Sequence, residues 1–303
     1  MPIKKKLILR LKGGLGNQLF CYAFGLVIAK KNNYELVLDT KSGFLYDTIY
    51  NRKFALNYFK LECREATYSE LLYPFSRTRR FLKKYINKNK QLSEMDYIEE
   101  LENFSSLKIQ NISLKKNTIY LDGLWQCFSY FEHEEDFIKK KIVFDVDIND
   151  KNKDFAKWIK KNDVGIIHMR FFSSHKMSGK DQDLNFEYYS KAIKHLQLQK
   201  NIKAFAIFTD DIEKADNFLS SLGIEYKLVN WNQKKDSEIF DLWLMTQGRY
   251  LVIANSTFSW WGAWLSDYRN NGIVIYPVLN ETTNNELWAK IFSNSMPKDW
   301  ISI

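Results

Sequence analysis

His168 and Arg170, two residues apart in "IIHMRFF" (166–172), are side chains suited to holding a charged ligand. A guanidinium presents a planar fork to phosphate oxygens and can offset charge developing on a departing diphosphate. An imidazole can hydrogen-bond a base or sugar edge, or it can be a satisfied core histidine. "IFTDD" ends in Asp210 and Asp211, carboxylates able either to accept N–H groups from a guanine edge or to cap a following helix. "ANSTFSWW" supplies Asn255, Ser256, Thr257 and Ser259 ahead of an expected helix. Hydroxyls beside free backbone N–H groups form an anion site, and the same residues serve as ordinary N-caps.

Each stretch follows an apolar run that reads as a strand: "VGIIHM", "AFAIFTD" and "YLVIAN". Helical patterns alternate with them. "NFEYYSKAIKHL" is opened by Asn185, "IEKADNFLSSLG" is closed by Gly223, and "IFDLWLMTQ" precedes the third strand, with "GIVIYP" as a last one. Alternation of this kind builds a parallel sheet whose strand C-termini gather the ligand-binding loops. All three candidate clusters are then expected at one sheet edge.

The N-terminal half repeats the logic once. Leu7 to Leu11 reads as a strand, "GGLGNQLFCYAFGLVIAKK" (13–31) as a glycine turn running into a helix, and "YELVLD" as the next strand, ending at Asp39. Gly14 and Gly16 fit the start of a dinucleotide fingerprint, but Leu19 stands where its third glycine belongs, which argues against NAD or FAD. A tight strand–helix turn is the plainer reading of the glycines. Two D-x-D triplets, Asp145/Asp147 and Asp181/Asp183, are weighed as holders of Mg²⁺ or Mn²⁺. Both are weak signals, since such triplets arise by chance in an acid-rich chain, the first lies in the expected linker and neither follows a strand.

With 303 residues the chain suits two domains. The polar passage 144–163 is expected to join them, giving a Rossmann-like domain over 1–150 and another over 151–303, facing each other across a cleft. A net charge of +9 points to an anionic partner: nucleic acid, an anionic membrane or a phosphorylated small molecule. The densest basic run, "RTRRFLKKYINKNK" (77–90), would give a helix one apolar stripe of Phe81, Leu82, Tyr85 and Ile86. It is either a solvated face or a docking surface for acidic headgroups; no nucleic-acid recognition signature accompanies it. Cys21, Cys63 and Cys127 suggest neither a disulfide framework nor zinc, and the run "LILRL" is too short for a signal peptide. A cytoplasmic protein, soluble or peripheral at the membrane, is expected.

Taken together and in order, "GGLGNQLFCYAFG", "YLDGLWQ", "IIHMR", "FTDD" and "IANSTFSWWGAWL" resemble the bacterial α-1,2-fucosyltransferases of glycosyltransferase family 11. The resemblance implies an α/β, GT-B-like fold and inverting, metal-independent transfer of L-fucose from GDP-β-L-fucose. The acceptor would be the 2-hydroxyl of a galactoside in an O-antigen or capsule precursor, with the N-terminal domain on the acceptor side and the C-terminal domain binding the donor. No cofactor is implied beyond the GDP-sugar co-substrate. His168 would contact the guanine side, Arg170 the β-phosphate, Asp210 or Asp211 the guanine, and Ser256 to Ser259 the phosphate. Gly14, Gly16 and Asn17 would form the N-domain wall facing the donor. The family pattern H-x-R-R-G-D is altered, with Phe171 for the second arginine and Ser173 at the aspartate. This leaves the general base open among His175, Asp181, Asp183 and Glu187, and leaves room for another GDP-6-deoxyhexose such as GDP-colitose.

Overall fold

The computed structural model describes residues 4–48, 50–100, 112–172, 183–232, 237–266, 269–279 and 286–303. Two compact units divide the chain, Met1–Asp145 and Val146–Ile303. The division falls at the start of the polar passage, ahead of Asn149, whose side chain caps the first helix of the second unit.

In the first unit, strands β1 (Lys6–Arg10), β2 (Glu35–Asp39), β3 (Arg64–Glu65), β4 (Tyr97–Glu99) and β5 (Thr118–Asp122) form a sheet ordered β3-β2-β1-β5-β4. Every pairing is parallel. The central strand explains why: Leu7, Ile8 and Leu9 are all buried, and a continuous apolar run needs cover on both faces. Helix α1 (Leu15–Asn32) supplies part of it, buried along most of its length, and stops at Asn33, which takes the left-handed conformation. Helices α2 (Ser76–Asn87) and α3 (Glu135–Lys141) complete the unit among the described residues.

The second unit holds β6 (Gly165–Met169), β7 (Ala204–Thr209), β8 (Glu225–Leu228), β9 (Tyr250–Val252), β10 (Ile273–Tyr276) and β11 (Ile301–Ser302), in the order β11-β10-β9-β6-β7-β8. These pairings are also parallel. Around them lie α4 (Asp150–Lys161), α5 (Phe186–Lys200), α6 (Ile212–Ser220), α7 (Glu238–Met245), α8 (Thr257–Trp264) and α9 (Glu286–Ser293). Strand order reverses around β6, where doubly wound sheets open a crevice beyond the strand ends. Beyond its first turn helix α8 is largely apolar, with Trp260, Trp261 and Trp264 fully buried, which anchors the helix in the core. Helix α6 closes at Ser221 rather than Gly223; the glycine, with φ +63°, makes the turn that follows.

Candidate active site

The parallel register brings three strand ends together. Ile167 pairs with Ile207 on one side and Val252 on the other, so the residues after β6, β7 and β9 emerge side by side. From β6 comes Arg170, whose Nη1 lies 2.9 Å from Oδ2 of Asp210, just past β7. The other carboxylate oxygen of Asp210 accepts the Phe171 backbone N–H at 2.9 Å. One carboxylate thus fixes both the guanidinium and the chain that carries it. Their side chains remain 21% and 16% accessible, which leaves guanidinium N–H groups for a ligand.

His168 is buried beside Arg170, its ring 5.7 Å from that of Phe258. Burial, then the charge of Arg170, holds its pKa down to about 3, so the ring is neutral at physiological pH. Its Nδ1 has no hydrogen-bond partner among the described residues. A buried, unsatisfied ring nitrogen is costly, and a ligand atom would relieve it. A neutral imidazole here can donate or accept a hydrogen bond but does not deliver a proton near pH 7.

The remaining positions sort by their partners. Asp211 is the N-cap of α6, its side chain accepting Lys214 N–H at 3.1 Å, so the capping alternative describes its carboxylate. Ser256 caps α8, accepting from Phe258 N–H at 3.3 Å, and stays partly exposed with Thr257. Asn255 is buried at the start of the same loop. Ser259 is buried, its hydroxyl donating to the carbonyls of Ala254 (3.3 Å) and Ser256 (3.2 Å), so the partly accessible hydroxyl residues at the start of α8 are Ser256 and Thr257.

Phe171, at the place of the second arginine in the family pattern, is 1% exposed and packs edge-on against Phe186. Lys214 is a residue that sequence reasoning missed. Its ammonium sits 4.4 Å from the centroid of the Phe171 ring and 2.7 Å from Asp183. Its position in the first turn of α6, three residues after the Asp211 cap, was the only signal available. Of the four candidate bases, Asp183 is therefore held by Lys214 with 11% of its side chain accessible. Glu187 stands exposed on α5, where its ion pair with Lys191 holds it below the usual carboxylate range. His175 and Asp181 lie outside the described residues. Among the described residues no group of three or more His, Cys, Asp and Glu side chains is placed to hold a metal ion.

In the first unit the glycine turn starts α1. Gly13 has φ +75°, and a Cβ there would meet Asn17 Nδ2 at 2.5 Å. Gly14 is the N-cap residue, Gly16 lies buried in the first turn, and Asn17 Oδ1 accepts from Gln126 Nε2 at 2.7 Å. The Gln18 side chain bonds Gly13 O, Lys53 O and Ala55 N, fixing the turn from outside. At the same sheet edge Asp122 accepts from Arg10 (3.0 Å), Lys12 (3.1 Å) and Tyr97 Oη (2.6 Å). Burial works against its charge, but Lys12 and Arg10 hold its pKa down to about 2. Tyr120 and Ser42 donate to buried Asp39. These carboxylates organise the strand ends, a role not evident from "YELVLD" or "YLDGLWQ" alone.

An arginine–carboxylate pair, a neutral histidine and a helix N-terminus thus meet at one edge of a parallel sheet, where open α/β folds bind their ligands. The chain belongs to glycosyl transferase family 11, whose profile matches residues 7–303. It is 33% identical over 277 residues to an alpha-1,2-colitosyltransferase of Escherichia coli, covering 89% of this chain and 90% of that one. It is 28% identical over 301 residues to the O-antigen biosynthesis glycosyltransferase WbnK of Escherichia coli, covering 88% and 92%. Its fold matches fucosyltransferase NodZ from Bradyrhizobium with a TM-score of 0.52 at 17% identity, over 87% of this chain and 94% of that one. The GT-B-like α/β class expected from the motifs is therefore the observed one.

Proposed function

We propose that the protein transfers a 6-deoxyhexose from a GDP-linked donor to the 2-hydroxyl of a galactoside in a surface-polysaccharide precursor, with inversion and without a metal. L-Fucose is the leading sugar. The observation that carries the reading is the Arg170–Asp210 pair at the switch point of the second sheet, 2.9 Å apart and only partly accessible. In this role Asp210 orients the guanidinium, and the free N–H groups of Arg170 take the β-phosphate of GDP as the glycosidic bond breaks. The N-terminus of α8, with Ser256 and Thr257, adds donors for phosphate, and His168 meets the nucleoside through its free Nδ1. Inversion requires the acceptor oxygen to attack the anomeric carbon from the face opposite the departing diphosphate, giving its proton to a base. The base is open among His175, Asp181, Asp183 and Glu187.

Colitose is the second reading, favoured by the 33% identity to a colitosyltransferase. It is fucose without the 3-hydroxyl, so one polar contact separates the donors. A site that hydrogen-bonds that hydroxyl rejects the deoxy sugar by about 10⁴-fold, whereas an apolar site barely discriminates.

Calorimetric binding of GDP, UDP and NAD with a chelator present, followed by turnover of GDP-fucose and GDP-colitose on a galactoside, tests this. GDP-selective binding and turnover of one of the two sugars are expected. Failure to bind GDP, or equal binding of UDP or NAD, would overturn the reading.

A further inference from the structure

Helix α2 sits on the first unit the wrong way round for an ordinary surface helix. An amphipathic helix normally buries its apolar stripe. Here a polar side faces inward: Arg80 and Asn87 are buried and Lys83 pairs with Asp96, while Lys84, itself exposed, pairs with Glu99 at 2.5 Å. Asn87 Nδ2 donates to Asp96 Oδ1 at 2.8 Å and to Lys83 O at 2.7 Å. The opposite side carries Phe81, Leu82, Tyr85 and Ile86, which are 67%, 51%, 72% and 60% exposed, and Phe75 at the N-cap is 76% exposed.

Cations border this apolar strip. Arg77 lies on one flank, its guanidinium 5.6 Å from the ring centroid of Tyr46, which is itself exposed. Arg79 lies on the other, donating to Tyr73 O at 3.2 Å, and Lys88 follows the last turn. None of the three pairs with a carboxylate among the described residues. From Ser76 to Lys90 the sequence contains no Asp or Glu.

Three occupants could cover such a surface, and chemistry separates them. A second copy of the chain would set Arg77, Arg79 and Lys88 against themselves, which like charges oppose. A nucleic acid would use aromatic rings as stacking platforms, but Leu82 and Ile86 offer bases no π-face. An anionic bilayer suits every feature: the apolar strip enters the boundary between headgroups and acyl chains while the flanking cations stay level with lipid phosphates. Among the described residues no helix is long and apolar enough to cross a membrane, so this contact would be superficial.

We propose that α2 docks the protein on an anionic lipid surface, with Phe75, Phe81, Leu82, Tyr85 and Ile86 inserted and Arg77, Arg79 and Lys88 on lipid phosphates. The proposal does not depend on which sugar nucleotide the second unit binds.

Flotation of the full chain with phosphatidylcholine vesicles, with and without phosphatidylglycerol, tests it. Binding is expected only with phosphatidylglycerol. It should fall at least about tenfold both in Phe81→Ser/Tyr85→Ser/Ile86→Ser, which removes inserted apolar side chains, and in Arg77→Ser/Arg79→Ser/Lys88→Ser, which removes the cations on lipid phosphate. The substituted side chains are exposed, so circular dichroism and GDP affinity should match the parent. Several results would each overturn the proposal: no vesicle binding by the parent, equal binding to phosphatidylcholine alone, or unchanged binding by both variants. So would a duplex RNA or a dimer that these substitutions disrupt while vesicles are ignored.

Discussion

If Asp210 serves the site by holding Arg170, then removing it should matter only while Arg170 is present. Asp210→Asn keeps an oxygen that can accept the Phe171 N–H, bonded at 2.9 Å in the native protein, but removes the charge that fixes the guanidinium. Hydrogen bonds to charged groups contribute about 1.5–3 kcal/mol, so loosening Arg170 should weaken GDP binding or transfer by about 10- to 100-fold. Arg170→Ala removes the phosphate contact itself and should cost at least as much. The decisive quantity is the coupling between the two. In the Arg170→Ala background, Asp210→Asn should change GDP affinity by no more than about 0.5 kcal/mol, because no guanidinium remains to orient. GDP titration calorimetry on wild type, both single variants and the double variant closes the cycle, with kcat/KM as the parallel readout. Additive losses would show that Asp210 acts on the ligand by a separate route, such as reading the base. An Arg170→Ala enzyme within about threefold of wild type would remove Arg170 from the mechanism altogether.

Asp241 is pushed up to about 7 by burial, with Asn232 Nδ2 2.9 Å away. A folded pKa above the unfolded one gives stability that is complete below about pH 4 and lost as pH rises through 7. Asp241→Asn should therefore stabilise the fold at pH 8, with about 4 kcal/mol as the ceiling at 1.36 kcal/mol per unit, and do nothing at pH 4. A pH-independent gain in denaturant melts would contradict this. Gly13→Ala, at φ +75° and with its Cβ 2.5 Å from Asn17 Nδ2, should cost about 1–2 kcal/mol in urea unfolding. A neutral result would mean the turn relaxes freely. Transfer activity should survive exhaustive EDTA treatment; complete loss that Mn²⁺ restores would refute metal-independent transfer.

The local signals were legible because they depend on short-range rules. Apolar runs ending in polar clusters mark parallel strands, and Asn185 and Ser256 announce helix starts through side chains that accept the first free N–H groups. The order of five motifs was enough to place the chain in its family. What the chain order could not supply is partnership across distance. Arg170 and Asp210 are separated by helix α5 and strand β7, and only the register of β6 on β7 decides that one holds the other while neighbouring Asp211 turns to cap α6. The same holds for Lys214 and Asp183. The basic run likewise reads as one amphipathic helix in any environment. The face it buries carries Arg80 and Asn87, with Asp96 beside strand β4 accepting from Asn87 and pairing with Lys83, and the apolar stripe is left outside. Periodicity defines the faces of a helix, and the charges of its tertiary neighbours choose between them.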